Sequence, residues 1–287
     1  MHVAVTGANG RLGRAVVSLL LEQGMEVVGL DKEGTHRQAD ASFLQVDLCN
    51  LSQVLEALAG ADAVVHLGAI PSPVGRPPEL VYGNNIMSQF NVFEAANRLN
   101  IRRVVSASSF SAFGFPFQHR WSEPLYLPID EAHPLLPQDA YGLSKANGEE
   151  IAAAYCRRTG GSAVSLRITH VVNDSDMHSF FEDVRQAPGR YAAEFWAYVH
   201  VNDVARACLL GLTRPLDGHQ IFLVAADDTS SELPTNELLD HWYPAVPRRP
   251  GTRNARWSLL DTTRAREILG FVPSYCWSNN EKRNGSL

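Results

Sequence analysis

Apolar and polar positions follow two rhythms over the first 168 residues. Short runs rich in β-branched and other apolar residues, at His2–Thr6, Glu26–Leu30, Ser42–Val46, Ala63–Leu67, Arg103–Ser106 and Ala163–Ile168, read as strands. Between them, Arg11–Gln23, Leu51–Leu58, Glu79–Leu99 and Tyr141–Arg158 return apolar residues at three and four positions, the spacing of a helix with one buried face. Alternation of the two patterns predicts βαβ units. Right-handed crossovers then give an α/β fold with a doubly wound parallel sheet of the Rossmann kind.

After Ile168 the rhythm becomes irregular. Helices are predicted over Asn202–Leu212, Thr235–His241 and Thr262–Leu269, with one strand over Gln220–Val224. The pattern divides the chain into a dinucleotide-binding domain, residues 1–168, and a mainly substrate-binding region, residues 169–277, with elements returning to the first core. Residues 278–287 form a polar tail. The stretch from Phe113 to Pro137 is rich in proline and aromatics and lacks periodicity, and a loop of that length is usually functional.

Composition narrows the function classes. The 287 residues can bury a core without metal or disulfide support, and the net charge of −6 offers no basic footprint for nucleic acid. A small molecule is the expected partner. Cys49, Cys156, Cys208 and Cys276 are scattered without a C-x-x-C pair, so no metal site or disulfide framework is expected. A strand pattern begins at His2 and no run of 18 apolar residues occurs, which points to a cytoplasmic protein with no membrane association. The basic residues are almost all arginine; the lysines are Lys32, Lys145 and Lys282 alone.

The first strand runs into Thr6-Gly7-Ala8-Asn9-Gly10-Arg11-Leu12-Gly13, which opens a helix. Gly7 permits the tight turn, Gly10 lets backbone approach a pyrophosphate, and Gly13 lets helix and sheet pack closely. Asp31 follows the second strand, 18 residues beyond Gly13, where a ribose-binding acid belongs. It would repel a 2′-phosphate and so favours NAD over NADP, although Lys32 and Arg37 lie near. Asp47, ending the third strand, is placed to meet the adenine amino group.

Tyr141 and Lys145 stand four residues apart at the start of a helix, which puts phenol and ammonium on one face. With eight tyrosines and three lysines, random placement would produce this spacing about 0.08 times. A compact ammonium can bond a ribose and sit beside a phenol, which a planar guanidinium does less well. To act as a base near neutral pH the phenol must fall about three units from about 10, a shift that a unit charge nearby can supply. The cluster Ser106-Ala107-Ser108-Ser109 ends the fifth strand at the carboxyl edge, where α/β sheets bind ligands. Ser109 is the first candidate to hold the reacting oxygen and Ser108 the alternative.

Taken together these residues resemble the extended short-chain dehydrogenase/reductase family, in its NAD-dependent epimerase/dehydratase branch. The resemblance also rests on Val64-Val65-His66-Leu67-Gly68-Ala69, Asn84-Asn85, Phe113-Gly114, Leu166-Arg167-Ile168 and Tyr198-Val199-His200-Val201-Asn202-Asp203. It implies NAD as cofactor, Ser109, Tyr141 and Lys145 as catalytic residues, Lys145 also on the nicotinamide ribose, and a homodimer built from the helices at Glu79–Leu99 and Tyr141–Arg158. The cofactor set it implies is Gly7, Asn9, Gly10, Arg11, Leu12, Gly13, Asp31, Asp47, Leu48, Leu67, Gly68, Ala69, Asn84, Tyr141, Lys145 and Ile168. Candidate substrate contacts are Ser72, Ser108, Ser109, His170, Arg185 and Arg190, the two arginines as carboxylate holders if the substrate is an acid. Substrate is expected between the Phe113–Pro137 loop and the segment from His178 to Tyr191.

Three activities fit. The first is net oxidation of a secondary alcohol carbon in a sugar or sugar acid, with NADH released. The second is a nucleotide-sugar epimerase or dehydratase in which the hydride returns, and the third a dinucleotide sensor without chemistry. The short stretch between Arg167 and Tyr198, and His170 where nucleotide-sugar enzymes of the family usually carry asparagine, favour the first.

Overall fold

A computed structural model describes residues 1–33, 41–249 and 254–277. Its strands are β1 (His2–Thr6), β2 (Glu26–Asp31), β3 (Ser42–Gln45), β4 (Ala63–His66), β5 (Arg103–Ser109), β6 (Ser162–Ile168), β7 (His170–Val172), β8 (Tyr198–His200) and β9 (His219–Val224). Seven of them form one sheet in the order β3-β2-β1-β4-β5-β6-β9, every pairing parallel. The chain reverses direction across the sheet between β1 and β4, which opens a crevice at their carboxyl ends. β7 and β8 make a separate parallel pair.

Helices α1 (Arg11–Glu22), α2 (Leu51–Leu58), α3 (Pro78–Arg98) and α4 (Ala140–Thr159) alternate with the strands, followed by α5 (Met177–Gln186), α6 (Val201–Thr213) and α7 (Thr235–Trp242). Strands covered on both faces need continuous apolar runs, and Val3, Ala4, Val5, Val64, Val65, Val104 and Val105 are fully buried. On one face Val16, Val17 and Leu20 of α1 pack with Val204 and Cys208 of α6. On the other, Val54 and Leu58 of α2 pack with Val92, Phe93 and Ala96 of α3 and Tyr155 of α4. Each such aliphatic side chain contributes about 1.5–3 kcal/mol on burial.

A third apolar cluster lies beyond the sheet edge and explains the aperiodic loop. Phe113, Phe115, Leu127 and Ile129 pack there with Phe180, Phe195, Trp196, Leu238 and Tyr243. Leu127 and Ile129 also donate backbone bonds to Pro247 and Leu259 carbonyls at 3.0 and 2.9 Å. The two ends of the loop's apolar pattern are therefore anchored in core, while Trp121, Leu125 and Leu136 stay exposed.

Several boundaries differ from the sequence reading. β5 continues to Ser109 because β6 pairs with it as far as Ile168. The helix predicted over Thr262–Leu269 is largely a π turn, Ala265–Leu269, closed by left-handed Gly270. β7, α5, the short 3₁₀ turn Pro188–Glu194 and β8 fill the stretch that looked irregular. Arg37, Lys282 and the polar tail lie outside the described residues, among which no helix is long and apolar enough to cross a membrane.

Two glycines set how closely α1 approaches the sheet. Gly7 has φ +67°, and a Cβ there would stand 2.8 Å from the Gly68 nitrogen; one at Gly13 would stand 2.1 Å from the Gly7 carbonyl oxygen. Backbone on both sides leaves nothing to yield. Gly13→Ala should therefore destabilise the protein at or above the upper end of the about 1–3 kcal/mol range for overpacking, measured by denaturant unfolding.

Candidate active site

A continuous cleft of about 1410 Å³ follows the carboxyl ends of the strands. It exceeds the roughly 300–1,000 Å³ of a pocket for one drug-sized ligand, leaving room for a dinucleotide and a substrate together. At one end Gly7, Gly10 and Gly13 line it beside Asp31 and Asp47. Gly10 begins α1 with no side-chain cap, so the first-turn N–H groups are left for a phosphate. Asp31 closes this end, its carboxylate accepting the Asn9 N–H at 2.9 Å and the Lys32 N–H at 2.8 Å. The Lys32 ammonium turns toward Asp47, 3.7 Å away.

The crevice floor is uncharged. Thr6 Oγ1 accepts the N–H groups of Leu67 and Gly68 at 3.1 and 3.0 Å, so its own proton goes to His66 Nδ1 at 2.8 Å. That bond leaves the His66 proton on Nε2. Burial, assisted by the charge on Lys145, pushes His66 down to about 3 and keeps the ring neutral.

α4 carries the candidate acid–base pair. Asp139 caps the helix, accepting the N–H groups of Tyr141 and Gly142 at 2.9 Å each, and so holds Tyr141 in the first turn facing β5. The phenol lies near the Ser109 hydroxyl, which accepts the Ser111 N–H at 3.0 Å. One turn on, Lys145 Nζ donates to the Ala107 carbonyl at 2.7 Å and stands 5.6 Å from the Tyr141 ring centre. Burial lowers Lys145 to about 8. Burial also raises the Tyr141 phenol above its ordinary value, opposed by the Ser109 hydrogen bond. The lowering expected from Lys145 is thus not produced by these residues alone, because the ammonium is committed to Ala107 and both groups are desolvated.

A second turn along the same face brings Glu149 into the sheet. Its carboxylate meets Arg167 of β6 through two bonds, 2.9 and 2.7 Å, and accepts the Ser108 hydroxyl at 2.6 Å. All three side chains are buried.

Residues 3–225 match the family described as the NAD dependent epimerase/dehydratase family. The chain belongs to that family. NAD is accordingly the dinucleotide its cleft serves. A uronate dehydrogenase of Pseudomonas syringae pv. tomato is 35% identical over 170 residues, and this match spans only 58% of each chain. A UDP-glucose 4-epimerase of Corynebacterium glutamicum is 25% identical over 312 residues, covering 96% of this chain and 92% of that protein. In fold the chain is similar to a short-chain dehydrogenase/reductase superfamily protein of Agrobacterium tumefaciens solved with bound NAD, with a TM-score of 0.74 at 23% identity, covering 99% of this chain and 95% of that one.

The cleft of this family member brings together the whole predicted cofactor set, from Gly7 to Ile168, with Ser72, Ser108, Ser109 and His170. Ser108 lines it, but its proton is given to Glu149. Arg185 and Arg190 are not brought to it. They are about half to two-thirds exposed and paired with Glu182 and Asp183 at 2.6 and 2.8 Å. α5 turns Phe180, Phe181 and Val184 inward, which sends its charges outward. Glu194, Ala197, Pro116 and Phe117 line the cleft instead. Asn85, also missed from sequence, clasps Ile70 through its N–H at 2.8 Å and its carbonyl at 3.0 Å, and bonds Ser144 of α4.

Lys145 supplies a test of the charge balance. A lysine lowered from 10.5 to about 8 in the fold opposes folding fully below about pH 8, and the opposition fades as pH rises toward 10.5. Lys145→Met should raise stability at pH 7, and its advantage should shrink between pH 8 and 10.5 when melting is followed across that range.

Proposed function

We propose that the protein is an NAD-dependent dehydrogenase that oxidises a secondary alcohol carbon of a free sugar or sugar acid and releases NADH. The observation that carries this reading is the convergence of Ser109, Tyr141 and Lys145 at the carboxyl edge of β5, in the same cleft as the glycine loop. NAD, when bound, supplies the hydride acceptor and a positive ring charge. Ser109 holds the substrate hydroxyl. Tyr141 takes the O–H proton as the carbon–hydrogen bond gives up its electron pair and the carbonyl forms. Lys145 would hold the ribose, and the positive ring charge that NAD supplies would favour the phenolate. Residues 1–168 serve NAD, and residues 169–277 serve mainly substrate.

Epimerisation of a nucleotide sugar is the second reading, favoured by the near-complete length of the epimerase match. It uses the same proton transfer and differs in keeping NADH bound. Accumulation of free NADH during turnover of a free sugar distinguishes the two. Tyr141→Phe should keep NAD affinity and slow hydride transfer by about 10²- to 10⁴-fold, read as nicotinamide absorbance before steady state. Near-normal transfer would assign the proton to another group.

The assembly proposed is a homodimer through α3 and α4, and the four free cysteines suit a reducing cytoplasm. Leu80, Met87 and Phe90 share one side of α3 at 44–50% exposure, beside Leu143 of α4 at 42%. An apolar surface of this kind is the mark of a self-complementary contact. Phe90→Asp should yield monomers in sedimentation at micromolar concentration while melting remains cooperative.

A further inference from the structure

Resting on the dehydrogenase reading, we propose that the enzyme selects neutral sugars over sugar acids, and that Glu194, paired with His170, makes the selection. Charges in the cleft are sorted by end. Arg14, Asp31, Lys32, Glu33 and Asp47 lie toward the glycine loop, while Arg11 sends its guanidinium across to the Val171 carbonyl at 2.9 Å and to Asp176 at 2.5 Å. Around Ser109 and Tyr141 the described lining is Ser72, Ser111, Phe117, Thr169, His170 and Glu194. Lys145 is tied to the Ala107 carbonyl and Arg11 is neutralised by Asp176, which leaves the Glu194 carboxylate as the charge at this end without an arginine or lysine partner among the described residues.

A carboxylate there accepts hydrogen bonds from hydroxyl groups and repels a carboxylate or phosphate on the substrate. Its partner is the His170 ring, with Nδ1 3.5 Å from Glu194 Oε2 and stacked on Phe180 at 4.4 Å. The pair thus offers adjacent polar atoms on a fixed platform, suited to neighbouring hydroxyls. Among the described residues the nearby arginines are already claimed: Arg11 by Asp176 and the Val171 carbonyl, and Arg185 and Arg190, outside, by Glu182 and Asp183.

The backbone that presents Glu194 is unusual. Phe195 and Trp196 follow it with φ of +54° and +50°, a left-handed conformation that bulky residues rarely adopt. Both are fully buried. Trp196 Nε1 donates to the Pro188 carbonyl at 2.8 Å, and the Trp196 carbonyl accepts Ser230 N–H and Oγ–H at 2.8 and 3.0 Å. Strain held by packing beside a ligand cleft marks a site whose geometry is used.

The test compares D-glucose with D-glucuronate and D-galactose with D-galacturonate, pairs that differ only in a hydroxymethyl or carboxylate group at C6. With the full-length protein and NAD, kcat/KM for NADH release should favour the neutral member by about tenfold or more. Glu194→Gln, which keeps shape and removes charge, should narrow that ratio about tenfold, and Glu194→Arg should reverse it, with NAD affinity and melting temperature unchanged. Preference for the uronates, or a ratio unchanged in Glu194→Gln, overturns the proposal. Should no free sugar release NADH, the dehydrogenase reading fails separately, and calorimetric binding of the same pairs to NAD-loaded protein decides the selection. Tighter neutral binding that depends on Glu194 upholds it; absent or equal binding overturns it.

Discussion

Glu149 and Arg167 carry opposite charges into the middle of the molecule, where neither could stand without the other. Removing one partner from such a buried pair typically costs about 3–5 kcal/mol, because the survivor keeps its desolvation penalty. The double bond between them ties α4 to β6, and the Ser108 hydroxyl extends the tie to β5. Tyr141 and Lys145 sit on the same helix, two turns and one turn before Glu149, while Ser109 is the next residue after Ser108. The relative positions of phenol, ammonium and hydroxyl therefore follow from one electrostatic clasp behind them. Apolar packing could hold a helix against a sheet, but it would fix rotation and register less sharply than paired charges with directional bonds.

The cofactor half depends on close approach. A parallel sheet gathers all its strand ends at one edge, so Gly7, Asp31, Asp47, Leu67, Ser109 and Ile168 come together although they are scattered from position 7 to position 168. What makes that edge usable is the absence of side chains at Gly7 and Gly13, which lets α1 aim its N-terminus along the crevice. The neutral His66 below, locked by Thr6, leaves phosphate charge to the helix end and the pocket walls.

Features written in local spacing were readable from sequence. The strands β1 to β6, the glycine loop, Asp31 and the Tyr141–Lys145 pair each depend on neighbours within one helix turn or one βα unit. Features that depend on distant partners were not. Nothing in the sequence around Glu149 marks it, and its part is visible only where the fold places Arg167 and Ser108 beside it. Asn85 meets Ile70 and Ser144, and Glu194 meets His170, only in the folded chain. Arg185 and Arg190 failed for the opposite reason: each has an acid three or seven residues away on the same short segment, and a local ion pair on a solvated helix face claims a guanidinium before any cleft can. The stretch from 169 to 197 hid its elements because three-residue strands and a ten-residue helix are too short to establish a period.

The left-handed pair Phe195–Trp196 has a bearing on how such a cleft changes through time. Because the main chain is held there by two buried aromatics and by Ser230, the spot reached by side chain 194 is set independently of what that side chain is. A codon change at 194 exchanges the chemical group delivered to one wall and leaves the rest of the wall where it was. Loops that move when mutated must be refitted by further changes before a new preference can be inherited. A rigid post with an interchangeable tip needs no refitting, so descendants of this chain can diverge in what they accept one substitution at a time.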